Sequence, residues 1–129
     1  TSAALIDMAL HGHPDPASLD VDAFEREFLA GIGMPDAIGI RHRPAHFQHL
    51  FAGGGYAAGY YSYMWSEVLD ADGFEAFEDV GNPFDPAVSA RLRTVLSAGD
   101  TADPMALYTA FRGRPPSTAA LLRGRELAA

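Results

Sequence analysis

Cysteine is absent from this 129-residue sequence, and basic residues are scarce in it. Without cysteine, disulfide bonds, thiolate nucleophiles and thiolate metal ligands are excluded from the chain. The absence fits a reducing compartment, and we expect the protein to be cytoplasmic. Lys and Arg together number 9 against 17 Asp and Glu, which gives a formal net charge of −8. Because nucleic-acid-binding proteins neutralise phosphates with cationic side chains, we expect no nucleic-acid partner.

Long apolar runs are also missing. No stretch approaches the roughly 20 apolar residues that a membrane-spanning helix needs. No charged segment followed by an apolar one marks a signal peptide at the start. We therefore expect no membrane partner. The sequence begins with Thr1 rather than Met, which fits a processed product or, more simply, a piece of a longer protein.

Sustained alternation of apolar and polar residues, the mark of a β-strand, is not found, and the sequence predicts an all-α fold. A first helix is expected near residues 1–11, where the alternation of Leu and Met leaves a strand as the alternative. A last short helix is expected after residues 115–117. Asp20, Asp85 and Asp103 stand where a side chain can cap a helix N-terminus, the last two directly before proline. The expected stops of these three helices are glycines: Gly31 or Gly33, Gly99, and Gly113.

The central segment, residues 42–69, holds most of the side chains that could carry chemistry. A helix is predicted from Tyr56 onward, directly after Gly53, Gly54 and Gly55. On that helix Tyr56, Tyr60 and Tyr63 would share one face, because they are spaced at i, i+4 and i+7. Such a face is either ordinary aromatic packing or a row of phenols in a cleft, where O–H groups stabilise a developing oxyanion. His49 could add an imidazole to the same place.

Two motif-like patterns carry less weight. His42 and His46 are four residues apart, as in the helical His-Glu-x-x-His zinc motif, but Arg43 stands where the catalytic Glu is needed. A self-contained zinc site is therefore not expected, and His46 and His49 are expected to make structural hydrogen bonds. Residues 53–58 match the G-x-G-x-x-G/A pattern of dinucleotide-binding loops, but no strand precedes them. Anion binding at the N-terminus of the predicted helix stays open.

Burial can also be anticipated from the pattern. The acidic stretch 67–79 is expected to be a solvated face, and His11 and His13 are expected to face solvent. The other face of the central helix is predicted to be core: Ala58, Tyr61, Trp65 and Val68. The arginines near helix ends are expected to be solvated or to interact with helix dipoles, with binding of a peptide carboxylate as the alternative: Arg91, Arg93, Arg112, Arg114, Arg123 and Arg125.

Residues 42–77 read HRPAHFQHLFAGGGYAAGYYSYMWSEVLDADGFEAF. This segment, with Gly-Tyr-x-x-x-Tyr-Tyr-x-Tyr at its centre, resembles the C-terminal signature of the thimet oligopeptidase family of zinc metallopeptidases. That family includes oligopeptidase A and peptidyl-dipeptidase. Residues 1–11 and 85–127 resemble flanking segments of the same family. The resemblance implies the C-terminal helical part of a larger, mainly helical metallopeptidase, with residues 1–129 as its substrate-binding region.

The resemblance also implies which groups this chain supplies. In the family, zinc is held upstream of this region by His-Glu-x-x-His and a later Glu, so the ligands of the implied Zn²⁺ lie outside this chain. By resemblance, Tyr60 and Tyr63 act on the oxyanion and the scissile bond, whereas His49 and Tyr56 bind substrate. A flexible substrate-binding loop would consist of Gly53, Gly54 and Gly55. The implied partners are short peptides and the missing N-terminal catalytic part of the same protein.

Three functions remain open from the sequence. The first is the substrate-binding part of a zinc oligopeptidase or peptidyl-dipeptidase, inactive by itself. The second is a non-catalytic helical module that binds peptides or partner proteins through the same aromatic cleft. The third is an anion- or nucleotide-binding protein that uses the glycine run.

Overall fold

Six α-helices and no β-strand form residues 1–127, the part of the chain that the computed structural model describes, and the predicted all-α fold is confirmed. The helices are α1 (Ser2–His11), α2 (Val21–Gly31), α3 (Tyr61–Glu78), α4 (Pro86–Ala98), α5 (Pro104–Arg112) and α6 (Ala119–Gly124). The chain forms two compact units, residues 1–64 and a second that begins at Trp65. Within the described residues, no helix combines the length and the apolar character needed to cross a membrane.

The first unit consists of α1, α2, the start of α3 and the segments between them. Asp20 caps α2 as predicted, because its carboxylate accepts a hydrogen bond from the Ala23 backbone N–H at 2.9 Å. Ile6 of α1 and Leu50 are fully buried. The loops contain three short 3₁₀ helices: Pro16–Ser18, Pro44–His46 and Gln48–Phe51. Two of these begin with proline, whose missing N–H costs nothing at a first helical position.

Arg43 anchors the segment that leads to His49. Its Nε donates to Glu25 at 2.9 Å and its Nη2 donates to Asp22 at 2.8 Å, and both acceptors lie on α2. The hydrogen bond to Glu25 raises the pKa of the Arg43 guanidinium above its usual value. Because the buried Pro44 follows directly, this bridge fixes where the 3₁₀ helix Pro44–His46 begins.

The second unit has its apolar core between α3, α4 and α5. The buried core residues are Ala76, Phe77, Val88 and Phe111. Asp85 caps α4 by accepting from two backbone N–H groups at 2.9 Å, and Asp103 caps α5 at 2.7 Å. Gly99 and Gly113 follow the two helices with φ of 56° and 78°, a backbone region in which glycine is favoured. The predicted starts and stops of α4 and α5 are thus confirmed.

An ionic network within the second unit corrects the solvated face predicted for residues 67–79. Asp72 is fully buried and accepts from Arg114 Nη2 at 2.7 Å and from the Tyr108 hydroxyl at 2.5 Å. Glu75 accepts from Arg112 at 3.0 Å and also pairs with Arg114 and Arg123. These three arginines therefore pair with acidic side chains of α3, and Arg112 is the one whose side chain is largely buried. The sequence showed the charges but not these pairings, which join α3 to α5, to α6 and to the segment between them.

The start of α3 also differs from the prediction. The helix begins at Tyr61 rather than Tyr56, because residues 56–59 form a turn in which Ala58 has a φ of +55°. Tyr61 and Trp65, expected in the core, are 53% and 42% exposed, whereas Val68 is buried as predicted. Since the helix starts five residues later, Tyr61 lies in its first turn and not along a buried face.

Candidate functional site

Four of the predicted site residues come together around one imidazole, in what we call the His49 cluster: His49, Tyr56, Tyr60 and Tyr63. The ring centre of His49 lies 4.9 Å from that of Tyr56, 5.8 Å from Tyr60 and 5.9 Å from Tyr63. The rings of Tyr60 and Tyr63 are 5.1 Å apart. His49 Nε2 and the Tyr63 hydroxyl are within hydrogen-bond distance, at 3.3 Å.

The cluster does not arise from one helix face, as the spacing had predicted. Tyr56 lies in the turn before α3, Tyr60 directly precedes the helix, and only Tyr63 is helical. His49, on the 3₁₀ helix Gln48–Phe51, contacts all three phenol rings and so joins them. Phe47 packs edge-on against Tyr60 at 5.0 Å and limits the positions its ring can take.

Asp7 on α1 binds the backbone of residues 56–60, which carry two of these tyrosines, and this role was not anticipated from the sequence. Its carboxylate is fully buried and accepts from the backbone N–H of Ala58 at 3.1 Å and of Tyr60 at 2.9 Å. His11 Nδ1 lies 2.7 Å from the same carboxylate, and its side chain is only 20% exposed. The expectation that His11 faces solvent was therefore wrong. A signal was present, because Asp7 is the one acidic residue of α1 and His11 stands four positions after it.

The glycine run lies at the surface beside the cluster. Gly53, Gly54 and Gly55 are all exposed, and Gly53 has a φ of +134° that other residues rarely adopt. The Tyr56 N–H donates to the Gly53 carbonyl at 3.0 Å, which closes a turn over the run. The run does not adjoin the N-terminus of α3, and the Tyr60 N–H just before that helix is already bound to Asp7. This geometry removes the basis for anion binding at a glycine-rich helix start.

The chain matches a known protein family over nearly its whole length. The model of peptidase family M3 matches residues 1–127. The chain belongs to this family, the thimet oligopeptidase family. The resemblance seen in the sequence is thereby confirmed.

Individual relatives of this M3 chain carry two kinds of name. The dipeptidyl carboxypeptidase of Escherichia coli (strain K12) is 39% identical over 128 residues, which cover 98% of this chain and 19% of that protein. Oligopeptidase A of the same strain is 48% identical over 122 residues, or 92% of this chain and 17% of that protein. The probable cytosolic oligopeptidase A of Arabidopsis thaliana is 52% identical over 87 residues, or 64% of this chain and 12% of that protein. The chain spans at most about a fifth of the length of these relatives.

The described residues of the M3 chain do not provide a binding site for the metal ion that is expected in a metallopeptidase. Between residues 1 and 127, no three His, Asp or Glu side chains gather into a possible metal site. His42 is instead stacked on Phe47, with ring centres 4.5 Å apart and an interplanar angle of 15°. This stacking gives His42 a packing contact in the segment that leads to the His49 cluster.

An apolar groove of about 620 Å³ lies in the first unit and was not anticipated from the sequence. Its apolar wall includes Leu10, Leu19, Val21, Phe47 and Phe51. Phe47 belongs to this wall and also contacts Tyr60, so its side chain connects the groove with the His49 cluster. These apolar residues lie on three separate stretches of the chain, near residues 10, 19–21 and 47–51, which is why no local pattern indicated the groove.

The His49 cluster can bind a polar group that approaches from solvent. Tyr56 and Tyr63 are 48% and 52% exposed, so their side chains are open to solvent. A phenol O–H donates one hydrogen bond, and an imidazole offers a donor and an acceptor. Several such groups beside one another suit recognition of a peptide carbonyl or stabilisation of an oxyanion formed from it.

Proposed function

We propose that the chain is the C-terminal, substrate-binding part of a longer zinc metallopeptidase that hydrolyses short peptides, as an oligopeptidase or a peptidyl-dipeptidase. The observation that supports it most is the gathering of His49, Tyr56, Tyr60 and Tyr63 in a chain of this family. Zn²⁺ would be held in the missing N-terminal catalytic part, because the described residues do not fit it. The chain alone would be inactive, and its location in the cytoplasm stays a prediction.

Within this proposal the cluster residues divide into two roles. Tyr60 and Tyr63 donate hydrogen bonds to the oxyanion that forms when the scissile carbonyl is attacked. His49 and Tyr56 contact the peptide beside that bond. Their ring contacts hold the donors in place before the charge develops, and such preorganisation is what makes a donor effective in a transition state. The exposed run of Gly53, Gly54 and Gly55 would adapt to the bound peptide.

The contact between His49 and Tyr63 determines whether the phenol is free to act. If His49 Nε2 carries its hydrogen, it donates to the Tyr63 oxygen at 3.3 Å and the phenol hydrogen points elsewhere. In the other tautomer the phenol donates to the imidazole and must break that bond before it can donate to substrate. We therefore assign the Nε2–H tautomer to the substrate-ready state.

The experiment that tests this proposal is Tyr63→Phe in the longer natural protein. Removing one oxyanion donor costs roughly 10²–10³ in kcat, and we expect a loss of that size with an unchanged fold. Steady-state kinetics on a short peptide, together with circular dichroism, provide the measurement. The matched control is Tyr61→Phe, since Tyr61 is 53% exposed and lies outside the cluster. A folded Tyr63→Phe protein with unchanged kcat would contradict the assigned role.

The alternative function is a non-catalytic helical module that binds peptides or partner proteins. It would use the same His49 cluster and would need no metal ion. The intact mass of the natural gene product separates the two functions. A mass several times 13.8 kDa, with zinc-dependent peptide cleavage, supports the peptidase. A natural product of 13.8 kDa overturns it and leaves the binding module.

A further inference from the structure

We propose that Asp7 is a positioning residue for the phenols of the His49 cluster and that His11 supports the Asp7 carboxylate. The inference rests on the proposed function, because it concerns how this chain would place its oxyanion donors. Asp7 would not touch substrate, since its side chain is fully buried. It would act through the backbone of the turn that ends at Tyr60.

The geometry gives this carboxylate two backbone donors and a neighbouring imidazole. Oδ1 accepts from the Ala58 N–H at 3.1 Å, and Oδ2 accepts from the Tyr60 N–H at 2.9 Å. His11 Nδ1 lies 2.7 Å from Oδ1 and is hydrogen-bonded to the main-chain carbonyl of Asp7 at 3.1 Å. Hydrogen bonds to a charged acceptor are stronger than those between neutral groups. A buried carboxylate is tolerated only where donors replace its lost hydration. The turn and the carboxylate therefore stabilise each other.

The turn needs such support because its backbone is strained. Ala58 has a φ of +55°, in the left-handed region that residues with a Cβ seldom occupy. The carboxylate bonds the amide of Ala58 itself and that of Tyr60 two residues later. Together these bonds set the direction in which the chain enters α3 and so the place of the Tyr60 ring. That ring touches both His49 and Tyr63.

Asn cannot replace Asp7 without loss. An amide of nearly the same shape has one oxygen acceptor, and its NH₂ group would face one of the backbone N–H donors. The mismatch would break the hydrogen bond to the N–H of either Ala58 or Tyr60, and the phenol of Tyr60 would move. His11 supports the carboxylate from its own helix, four residues away, and its ring packs against Phe51 at 5.5 Å.

The experiment is Asp7→Asn in the longer natural protein, alone and combined with Tyr60→Phe. A misplacement of about 1 Å costs on the order of 10²-fold in rate, and we expect kcat to fall by that factor while KM changes by less than about 3-fold. In the Tyr60→Phe background the hydroxyl to be placed is gone, so Asp7→Asn should lower kcat by less than about 5-fold.

Hydrogen exchange of the backbone amides of residues 56–63 should become faster in Asp7→Asn. Asp20→Ala, which removes another carboxylate that binds a backbone N–H, should leave kcat unchanged.

The outcomes separate this inference from the proposed function. An unchanged kcat in Tyr60→Phe overturns both. Suppose that Tyr60→Phe lowers kcat. If Asp7→Asn then has no effect, or has an effect of equal size with and without Tyr60→Phe, the positioning role alone is overturned. If Asp7→Asn does not fold, His11→Ala takes its place, because it removes the imidazole beside the carboxylate and leaves both backbone hydrogen bonds. A kcat loss in His11→Ala that disappears in the Tyr60→Phe background supports the positioning role, and a loss of equal size in both overturns it.

Discussion

At the scale of single residues, two fully buried carboxylates are used in different ways. Asp7 accepts from two backbone N–H groups and lies beside the imidazole of His11, whereas Asp72 accepts from a guanidinium and a phenol. In both places these donors offset the cost of removing the charge from water. The backbone donors of Asp7 lie 51 and 53 positions away, and the donors of Asp72 lie 36 and 42 positions away. No local pattern could have shown these long-range pairings, whereas the four-residue spacing of Asp7 and His11 was visible in the sequence.

The surroundings of Asp72 shift two pKa values in opposite directions. Burial opposes ionisation of Asp72, but hydrogen bonds from Arg114 and Tyr108 outweigh it, so the pKa of Asp72 lies below its usual 3.8. Burial and the hydrogen bond to Asp72 raise the pKa of Tyr108 above its usual 10.0. A carboxyl group with a lowered pKa in the folded state contributes stability above its unfolded pKa. That contribution is lost as the pH falls through the folded value.

Comparison of the protein with its Asp72→Asn variant tests this linkage. The free energy of unfolding of the two should differ most at neutral pH, and the difference should shrink below about pH 4, where the unfolded carboxyl group takes up a proton. Urea unfolding of both proteins at several pH values between about pH 2 and about pH 7 measures this difference in the free energy of unfolding. Asp100→Asn, in the exposed connection between α4 and α5, is the control. A difference that stays constant across this range would contradict the assigned ion pairing.

At the scale of secondary-structure elements, the capped helix starts were predictable and the start of α3 was not. Asp20, Asp85 and Asp103 cap their helices through N–H groups two or three residues away. Such contacts depend only on local sequence. Just before α3, Asp7 accepts hydrogen bonds from the amides of Ala58 and Tyr60, which lie 51 and 53 positions away along the chain. The three tyrosines do come together, but the prediction that they share one helix face was wrong.

Asp85→Ala should lower the stability of the second unit by about 1 kcal/mol, because an N-cap side chain is worth roughly that much. Asp85 accepts from two backbone N–H groups, one of them on Val88 in the core. Thermal and urea unfolding measure the change. Asp85→Asn is the control, since Asn caps helices about as well as Asp. Equal stability of the two variants would show that the cap contributes little here.

At the scale of the whole molecule, large apolar side chains remain exposed in both units. Ile38 and Phe51 in the first are 59% and 57% exposed, and Phe84 and Leu96 in the second are 85% and 74% exposed. Exposed apolar surface of this kind is typical of interaction sites. It is also what a part of a longer protein would present to the rest of that protein.

We therefore expect the isolated 129-residue chain to self-associate. Sedimentation velocity over a wide range of concentrations should show species heavier than 13.8 kDa that increase with concentration. Replacing two of the exposed residues in a Phe84→Ser, Leu96→Gln variant should shift the distribution toward the monomer. A single monomeric species at every concentration would count against this expectation.

The sequence by itself determined the helical class, the capped starts of α2, α4 and α5, and membership of the family through the Gly-Tyr-x-x-x-Tyr-Tyr-x-Tyr signature. Caps, proline positions and glycine stops act within one or two turns, so local sequence suffices for them. Only the tertiary structure decided that the tyrosines meet around His49 rather than along a helix. It also decided that Asp7 holds their turn and that residues 67–79 bind arginines. These features depend on which distant segments pack together, and the free energy of a buried charge depends on donors that packing alone supplies.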